Sequence, residues 1–182
     1  MKNNPVPEFR GAHSAKLVFL VGMPGAGKTY WGEKIAAARK VPFVDLDIFI
    51  AEQENASIPA LFAMYGENGF REREQRHLKK AIGAAKYDIV VACGGGTPCF
   101  GDNMKIMLDA GTVIYLESDV ALLLKHLKES TEVRPLLNNR GELGAYLEDL
   151  LKKRARFYEQ ANYILQVKDI SLATFAKIIS HV

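Results

Sequence analysis

Five short apolar runs recur along the chain, and longer stretches that mix apolar and polar residues at helical spacing separate them. Leu17-Val18-Phe19-Leu20-Val21 is apolar at every position, as expected of a strand buried on both faces of a parallel sheet. Val41-Pro42-Phe43-Val44 is a shorter run that leads into Asp45-Leu46-Asp47. Ile89-Val90-Val91-Ala92, residues 112–116 and residues 163–167 complete the set. Between them the periodicity predicts helices over 30–39, 48–54, 57–65, 70–84, 103–110, 120–127, 145–160 and 171–181. Ser57 is placed to cap the third helix, with Pro59 tolerated in its first turn. Gly66-Glu67-Asn68-Gly69 then reads as a break. Strands that alternate with helices throughout predict an α/β fold: three layers, with helices on both faces of a parallel sheet of about five strands. No internal repeat and no second domain boundary is visible. Residues 17–182 read as one domain, and residues 1–16, polar and carrying Pro5, Pro7 and Gly11, as a flexible extension.

Composition narrows the function classes. A chain of 182 residues suits one domain with a real core, and 48% apolar with 25% charged residues is ordinary for a soluble globular protein. The net charge of +3 comes from scattered basic residues, which does not point to nucleic acid. No apolar run is long enough to span a membrane, and the N-terminus lacks a signal-peptide core, so the cytoplasm is the expected location. Cys93 and Cys99 match no metal-binding spacing; Cys93 reads as a small buried residue.

The chemistry begins at Gly22-Met23-Pro24-Gly25-Ala26-Gly27-Lys28-Thr29. A glycine-rich loop between a strand and a helix, closed by Gly-Lys-Thr, is a P-loop in the context it requires. Small residues let the backbone N–H groups of Gly25, Ala26, Gly27, Lys28, Thr29 and Tyr30 curl around phosphate oxygens, and the helix N-terminus adds to that field. Lys28 reaches the outer phosphates, and the Thr29 hydroxyl is a ligand for Mg²⁺.

Other residues qualify the reaction. Ligands of open parallel sheets bind beyond the carboxyl ends of strands, so Asp45 and Asp47 are expected near the P-loop. Asp47 is a candidate to orient and deprotonate an acceptor hydroxyl, and Asp45 suits the Mg²⁺ shell through water; one of the two can instead cap the next helix. Gly94-Gly95-Gly96 follows a buried strand, where close approach of a ligand or another backbone explains three consecutive glycines. Arg71 and Glu74 share a helix face, as an acceptor-binding pair or as a solvated ion pair. Arg154 lies on the apolar face of its helix, where it either snorkels to solvent or meets an anion. Residues 129–143 are polar and irregular and read as a lid, with Arg134 placed to neutralise charge on a transferring phosphoryl group. The guanine-recognition motif of GTPases is absent, and the chain is short for a helicase or transporter ATPase. A kinase for a small acceptor remains.

The motifs Gly-x-x-Gly-x-Gly-Lys-Thr, Asp45-x-Asp47, Gly69-Phe70-Arg71-x-x-Glu74, Gly94-Gly95-Gly96, Arg134-Pro135-Leu136-Leu137 and Arg154-Ala155-x-x-Tyr158 together resemble shikimate kinase, in order and spacing, from Leu17 to the C-terminus. The resemblance implies transfer of the ATP γ-phosphoryl group to the 3-hydroxyl of shikimate, with Mg²⁺, by a monomer. It implies that Asp47, Arg71, Arg154 and the backbone of Gly94, Gly95 and Gly96 bind shikimate, that Glu74 holds Arg71, and that Arg134 meets ATP. Two positions depart from the family. Leu127 stands where an arginine is common, with Lys125 and Lys128 nearby, and Ser171 stands at about the place of an adenine-side arginine. Purine contact is then expected from lysines or apolar packing. The competing readings are another small-molecule kinase, for gluconate or a nucleoside monophosphate, and a silent nucleotide-binding module.

Overall fold

The computed structural model describes residues 16–129 and 140–179. Five strands form one sheet: β1 (Leu17–Val21), β2 (Phe43–Asp45), β3 (Ile89–Ala92), β4 (Gly111–Glu117) and β5 (Tyr163–Gln166). All pairings are parallel, in the order β2-β3-β1-β4-β5. The most apolar run takes the central place. Every residue of β1 is buried, in register with β3 on one side (Leu17 with Ile89) and β4 on the other (Leu17 with Gly111). A β-carbon on Gly111 would collide with the Leu17 carbonyl, so this close pairing requires glycine. The shorter, half-exposed runs of β2 and β5 form the edges.

Seven α-helices connect and flank these strands: α1 (Lys28–Arg39), α2 (Leu46–Glu54), α3 (Ile58–Ala84), α4 (Asn103–Ala110), α5 (Val120–Glu129), α6 (Arg140–Tyr158) and α7 (Leu172–Ile179). Parallel crossovers are right-handed. The first runs from β1 outward to β2, and the later ones run back across the sheet, so α1 lies on one face and the helices of the later crossovers on the other. α7 packs on α1 and α4 packs on β4, which gives the three layers. The direction reverses at β1, whose neighbours are β3 and β4; open sheets bind ligands beyond the strand ends at such a point.

Two local outcomes refine the pattern reading. The expected break is present at Gly66, whose backbone is not helical (φ 64°, ψ −178°), so α3 consists of two helices that meet at a kink; the second already includes Gly69 and does not wait for Phe70. Asp45 ends β2 and caps α2, so the helix starts at Leu46 and Asp47 lies in its first turn rather than on the strand. Ser57 caps α3 as expected, accepting from Ala60 N at 3.3 Å.

Candidate active site

The loop after β1 turns three times through backbone that only glycine adopts cheaply: φ is 142° at Gly22, 85° at Gly25 and 81° at Gly27. Gly27 leads into α1, whose start has no side-chain cap, leaving its first-turn N–H groups available to an anion. Lys28 Nζ donates to the carbonyls of Gly22 (3.0 Å) and Met23 (2.8 Å). Ala26 is fully buried, and Thr29 and Tyr30 are exposed at the mouth.

Asp45 is shared between two tasks. Its Oδ1 accepts from the backbone N–H groups of Asp47 (3.1 Å) and Ile48 (3.3 Å), and its Oδ2 accepts from the Thr29 hydroxyl at 2.8 Å. The cap therefore fixes a carboxylate oxygen beside the P-loop. Asp47 follows, largely enclosed. Burial and the negative charges of Asp45 and Glu74 push its carboxyl from 3.8 up to about 6, against the opposing pull of Lys28 and Arg71.

The three glycines after β3 have a steric explanation. A β-carbon on Gly94 would stand 2.8 Å from Asp47 Oδ1 and 3.1 Å from Glu74 Oε1, and one on Gly95 2.8 Å from Pro24 Cδ. One on Gly96 would overlap the Arg71 guanidinium. What approaches this loop is the protein itself: an acidic side chain, the P-loop and an arginine, each against a different glycine. None of the three has positive φ, so room decides here, not conformational freedom.

Arg71 and Glu74 are not a solvated pair. Glu74 is 1% exposed; its Oε2 accepts from Arg71 Nη1 at 2.7 Å and its Oε1 from the Thr97 hydroxyl at 2.6 Å. A buried carboxylate with both oxygens occupied holds the guanidinium rigidly. Arg154, half-buried on α6, has its charge close to the Tyr158 hydroxyl one turn further along the helix. Arg134, and most of the 129–143 stretch, lie outside the described residues; of that stretch Glu129 ends α5, and α6 begins at Arg140.

The P-loop, the two aspartates and the first two glycines of the triplet meet at one cleft of about 930 Å³, a size that suits small-molecule ligands. It runs along the carboxyl edge of the sheet in strand order. Asp45 and Asp47 after β2 and Gly94 and Gly95 after β3 line one end. Lys28 and Thr29 after β1 line the middle. Leu122 and His126 of α5, with Val167 and Lys168 after β5, line the other end. Arg71, Glu74, Gly96 and Arg154 are not in its wall; Arg71, Glu74 and Gly96 stand beside the Asp47 end through the contacts of the glycine loop, and Arg154 lies by Tyr158, whose hydroxyl bonds the Gly95 carbonyl.

A family model described as "SKI: Shikimate kinase" matches residues 24–182. The chain belongs to the shikimate kinase family. A shikimate kinase of Phocaeicola vulgatus is 39% identical over 155 residues, which cover 84% of this chain and 87% of that one. The crystal structure of shikimate kinase from Bacteroides thetaiotaomicron superposes with a TM-score of 0.86 at 33% identity, covering 91% of this chain and 98% of that one. Shikimate kinase from Acinetobacter baumannii in complex with shikimate gives 0.80 at 32% identity, covering 92% and 95%.

Against that family membership, the two departures in sequence have local structural reasons. Leu127 is buried, its Cγ against the back of Gly25, and Ser171 caps α7 through Thr174 N at 3.4 Å. Lys125 and Lys128 are exposed and do not line the cleft. The residues that do so are His126 and Lys168, which sequence reasoning passed over. His126 Nδ1 lies 2.8 Å from the Gly25 carbonyl. A carbonyl only accepts, so Nδ1 carries the proton. Its adjacency to Leu127 was the available signal. Thr97 was given no role, and Tyr158 stood in the Arg154-Ala155-x-x-Tyr158 motif without one; both are fully buried with short hydrogen bonds into the site.

Proposed function

We propose that this cleft transfers the γ-phosphoryl group of ATP to the 3-hydroxyl of shikimate, giving shikimate 3-phosphate and ADP, a step toward chorismate and the aromatic amino acids. The observation that carries the reading is Asp47, a carboxyl pushed up to about 6 and placed between the P-loop lysine and the glycine loop. A general base works best with a pKa near the working pH. The acceptor hydroxyl gives its proton to Asp47 as its oxygen attacks the γ-phosphorus; the bond to the β–γ bridging oxygen breaks, and ADP leaves. Charge on the transferring group stays on its equatorial oxygens, where Lys28 and the N-terminus of α1 oppose it.

Shikimate carries one carboxylate and three hydroxyls. Arg71, fixed by Glu74, and Arg154 suit the carboxylate, because arginine forks match that group. Asp47 and the backbone of Gly94, Gly95 and Gly96 suit the hydroxyls. The donor set also fits Mg²⁺: Thr29 Oγ1 and Asp45 Oδ2 are hard oxygens 2.8 Å apart beside the phosphate loop. Thr29 would hold the ion directly and Asp45 through water. Bound there with ATP, it supplies charge neutralisation on the phosphates. Among the described residues no cluster of three His, Cys, Asp or Glu is placed to hold a metal, and an Mg²⁺ site that relies on water and phosphate has no need of one.

ATP lies along the cleft, its phosphates on Gly25, Ala26, Gly27, Lys28, Thr29 and Tyr30 and its base toward His126 and Lys168. Arg134 and the 129–143 stretch close over the phosphates. The enzyme acts as a cytoplasmic monomer on small molecules. Among the described residues no helix is long and apolar enough to cross a membrane.

The test is ADP formation with Mg²⁺ and ATP, with shikimate, gluconate, nucleoside monophosphates or no acceptor. Stimulation by shikimate alone is expected. Stimulation by one of the others, or by none while ATP still binds, overturns the assignment.

A further inference from the structure

Tyr158 ends α6 fully buried, one helical turn after Arg154. Its ring stacks at a tilt on Tyr115 of β4, with centroids 5.0 Å apart, and its hydroxyl lies 2.6 Å from the Gly95 carbonyl. The directions of its bonds follow from the partners. A carbonyl can only accept, so the phenol proton points at Gly95. A guanidinium can only donate, so Arg154, whose charge lies close to the phenol, can offer only N–H groups to the phenol oxygen. The polarity therefore runs one way, from the Arg154 side to the Tyr158 oxygen and from Tyr158 O–H to Gly95 C=O. The Met23 sulfur, 3.7 Å from the same oxygen, is a packing neighbour, because the single proton is already engaged.

We propose that Tyr158 is a positioning residue for the acceptor, setting the Gly95 backbone and the Arg154 guanidinium at a fixed separation through one phenol oxygen. This rests on the reading of Arg154 and Gly95 as acceptor contacts. Those two groups come from different crossovers, one on the loop after β3 and one on α6, and the phenol hydrogen-bonds to the first and lies close to the second. Gly95 is in turn wedged against Pro24, so the phenol also fixes the acceptor loop relative to the P-loop. Burial pushes the Tyr158 phenol well above its ordinary value, which keeps the donor to Gly95 in place across the working pH range. Arg154 keeps its charge without Tyr158. What it loses is orientation, and a guanidinium fork binds a carboxylate well only in the right plane.

Tyr158→Phe removes the hydroxyl that bonds Gly95 and lies close to Arg154, and keeps the ring that fills the core. Initial rates with each substrate varied in turn are expected to show KM for shikimate raised about tenfold, KM for ATP within about twofold, and kcat at saturating shikimate little changed, the signature of lost acceptor binding. A merely structural role would raise both KM values or lower soluble yield and kcat together, and that result overturns the proposal. The second arm is Arg154→Ala, alone and combined with Tyr158→Phe. If the phenol acts partly through Arg154, the double variant's KM for shikimate falls well short of the product of the two single effects. Independent, multiplicative effects overturn the proposal, as does an unchanged shikimate KM in Tyr158→Phe. Failure of the unsubstituted enzyme to respond to shikimate would defeat the acceptor reading and this inference together. A normal response with an unaffected Phe variant defeats this inference alone.

Discussion

The Asp47 carboxyl faces Asp45 and Glu74 on one side and Lys28 and Arg71 on the other, and burial tips the balance toward the neutral form. The sign of its effect on stability follows. A carboxyl raised from 3.8 to about 6 binds its proton more tightly when folded, so the fold is favoured below about pH 4 and that contribution is lost as pH rises through 6. Above pH 6 ionised Asp47 costs the native state roughly 3 kcal/mol at most, at about 1.4 kcal/mol per pH unit. Asp47→Asn is therefore expected to abolish most turnover, spare ATP binding and raise the melting temperature at pH 7.5. The gain should shrink toward pH 4; a variant that is equally or less stable at pH 7.5 contradicts it. The same carboxyl predicts that kcat/KM falls on the acid side with a midpoint near 6, because the protonated form cannot accept the hydroxyl proton. A profile flat down to pH 5 would remove Asp47 as the base.

At the scale of elements, two glycines of the acceptor side make opposite demands. Gly66 has open space around its missing side chain but a backbone (φ 64°, ψ −178°) that other residues rarely adopt. Gly66→Ala is expected to cost about 1–3 kcal/mol through the backbone alone, lowering the melting temperature by several degrees in a chain of this size. A straightened α3 would also move Phe70 and Arg71. Gly96 has the reverse problem: ordinary αR geometry, but the Arg71 guanidinium where a β-carbon would stand. Gly96→Ala is expected to dislodge Arg71 from Glu74 and raise KM for shikimate about tenfold, a loss of roughly 1.4 kcal/mol, with little change in KM for ATP. Equal losses for both substrates would mean that the loop collapses instead. This contrast marks where sequence reading stops. The central strands β1, β3 and β4 were legible because buried parallel strands are written as nearly continuous apolar runs, the edge strands β2 and β5 as shorter ones, and the P-loop because its glycines must take positive φ at fixed places. Arg154 was legible as a charge on an apolar helix face and Asp45 and Asp47 as carboxylates at a strand end, whereas Arg71 stood in a charged helix where patterning also allowed a solvated ion pair. The triple glycine was legible as a close approach, but what approaches it depends on α2, α3 and the P-loop meeting in space. The break within α3 was legible because a glycine pair reads as a terminator, and Gly66 does leave helical geometry; that Gly69 is helical was not legible, because only Gly66 takes the non-helical backbone.

On the scale of the whole molecule, the two helices that flank residues 130–139 are fastened to opposite ends of the cleft. His126 near the end of α5 bonds the Gly25 carbonyl of the loop after β1, and Tyr158 at the end of α6 bonds the Gly95 carbonyl of the loop after β3. The helices also pack on each other. If ATP and shikimate bind as proposed, one near each of these contacts, the stretch between the two helices is expected to respond to both ligands. The proposed closing role of residues 129–143 then carries a quantitative expectation. Hydrogen exchange there should slow modestly with a non-hydrolysable ATP analogue and Mg²⁺, little with shikimate alone, and most with both, beyond the sum of the separate effects. Tyr158→Phe should reduce the part that shikimate adds and leave the nucleotide part intact, because it cuts only the acceptor-side anchor. Exchange that is unchanged with both ligands at saturation would refute closure. Protection that is complete with nucleotide alone would show that the segment answers to the His126 anchor only, and that Tyr158 shapes the acceptor site without reporting its occupancy to the rest of the molecule.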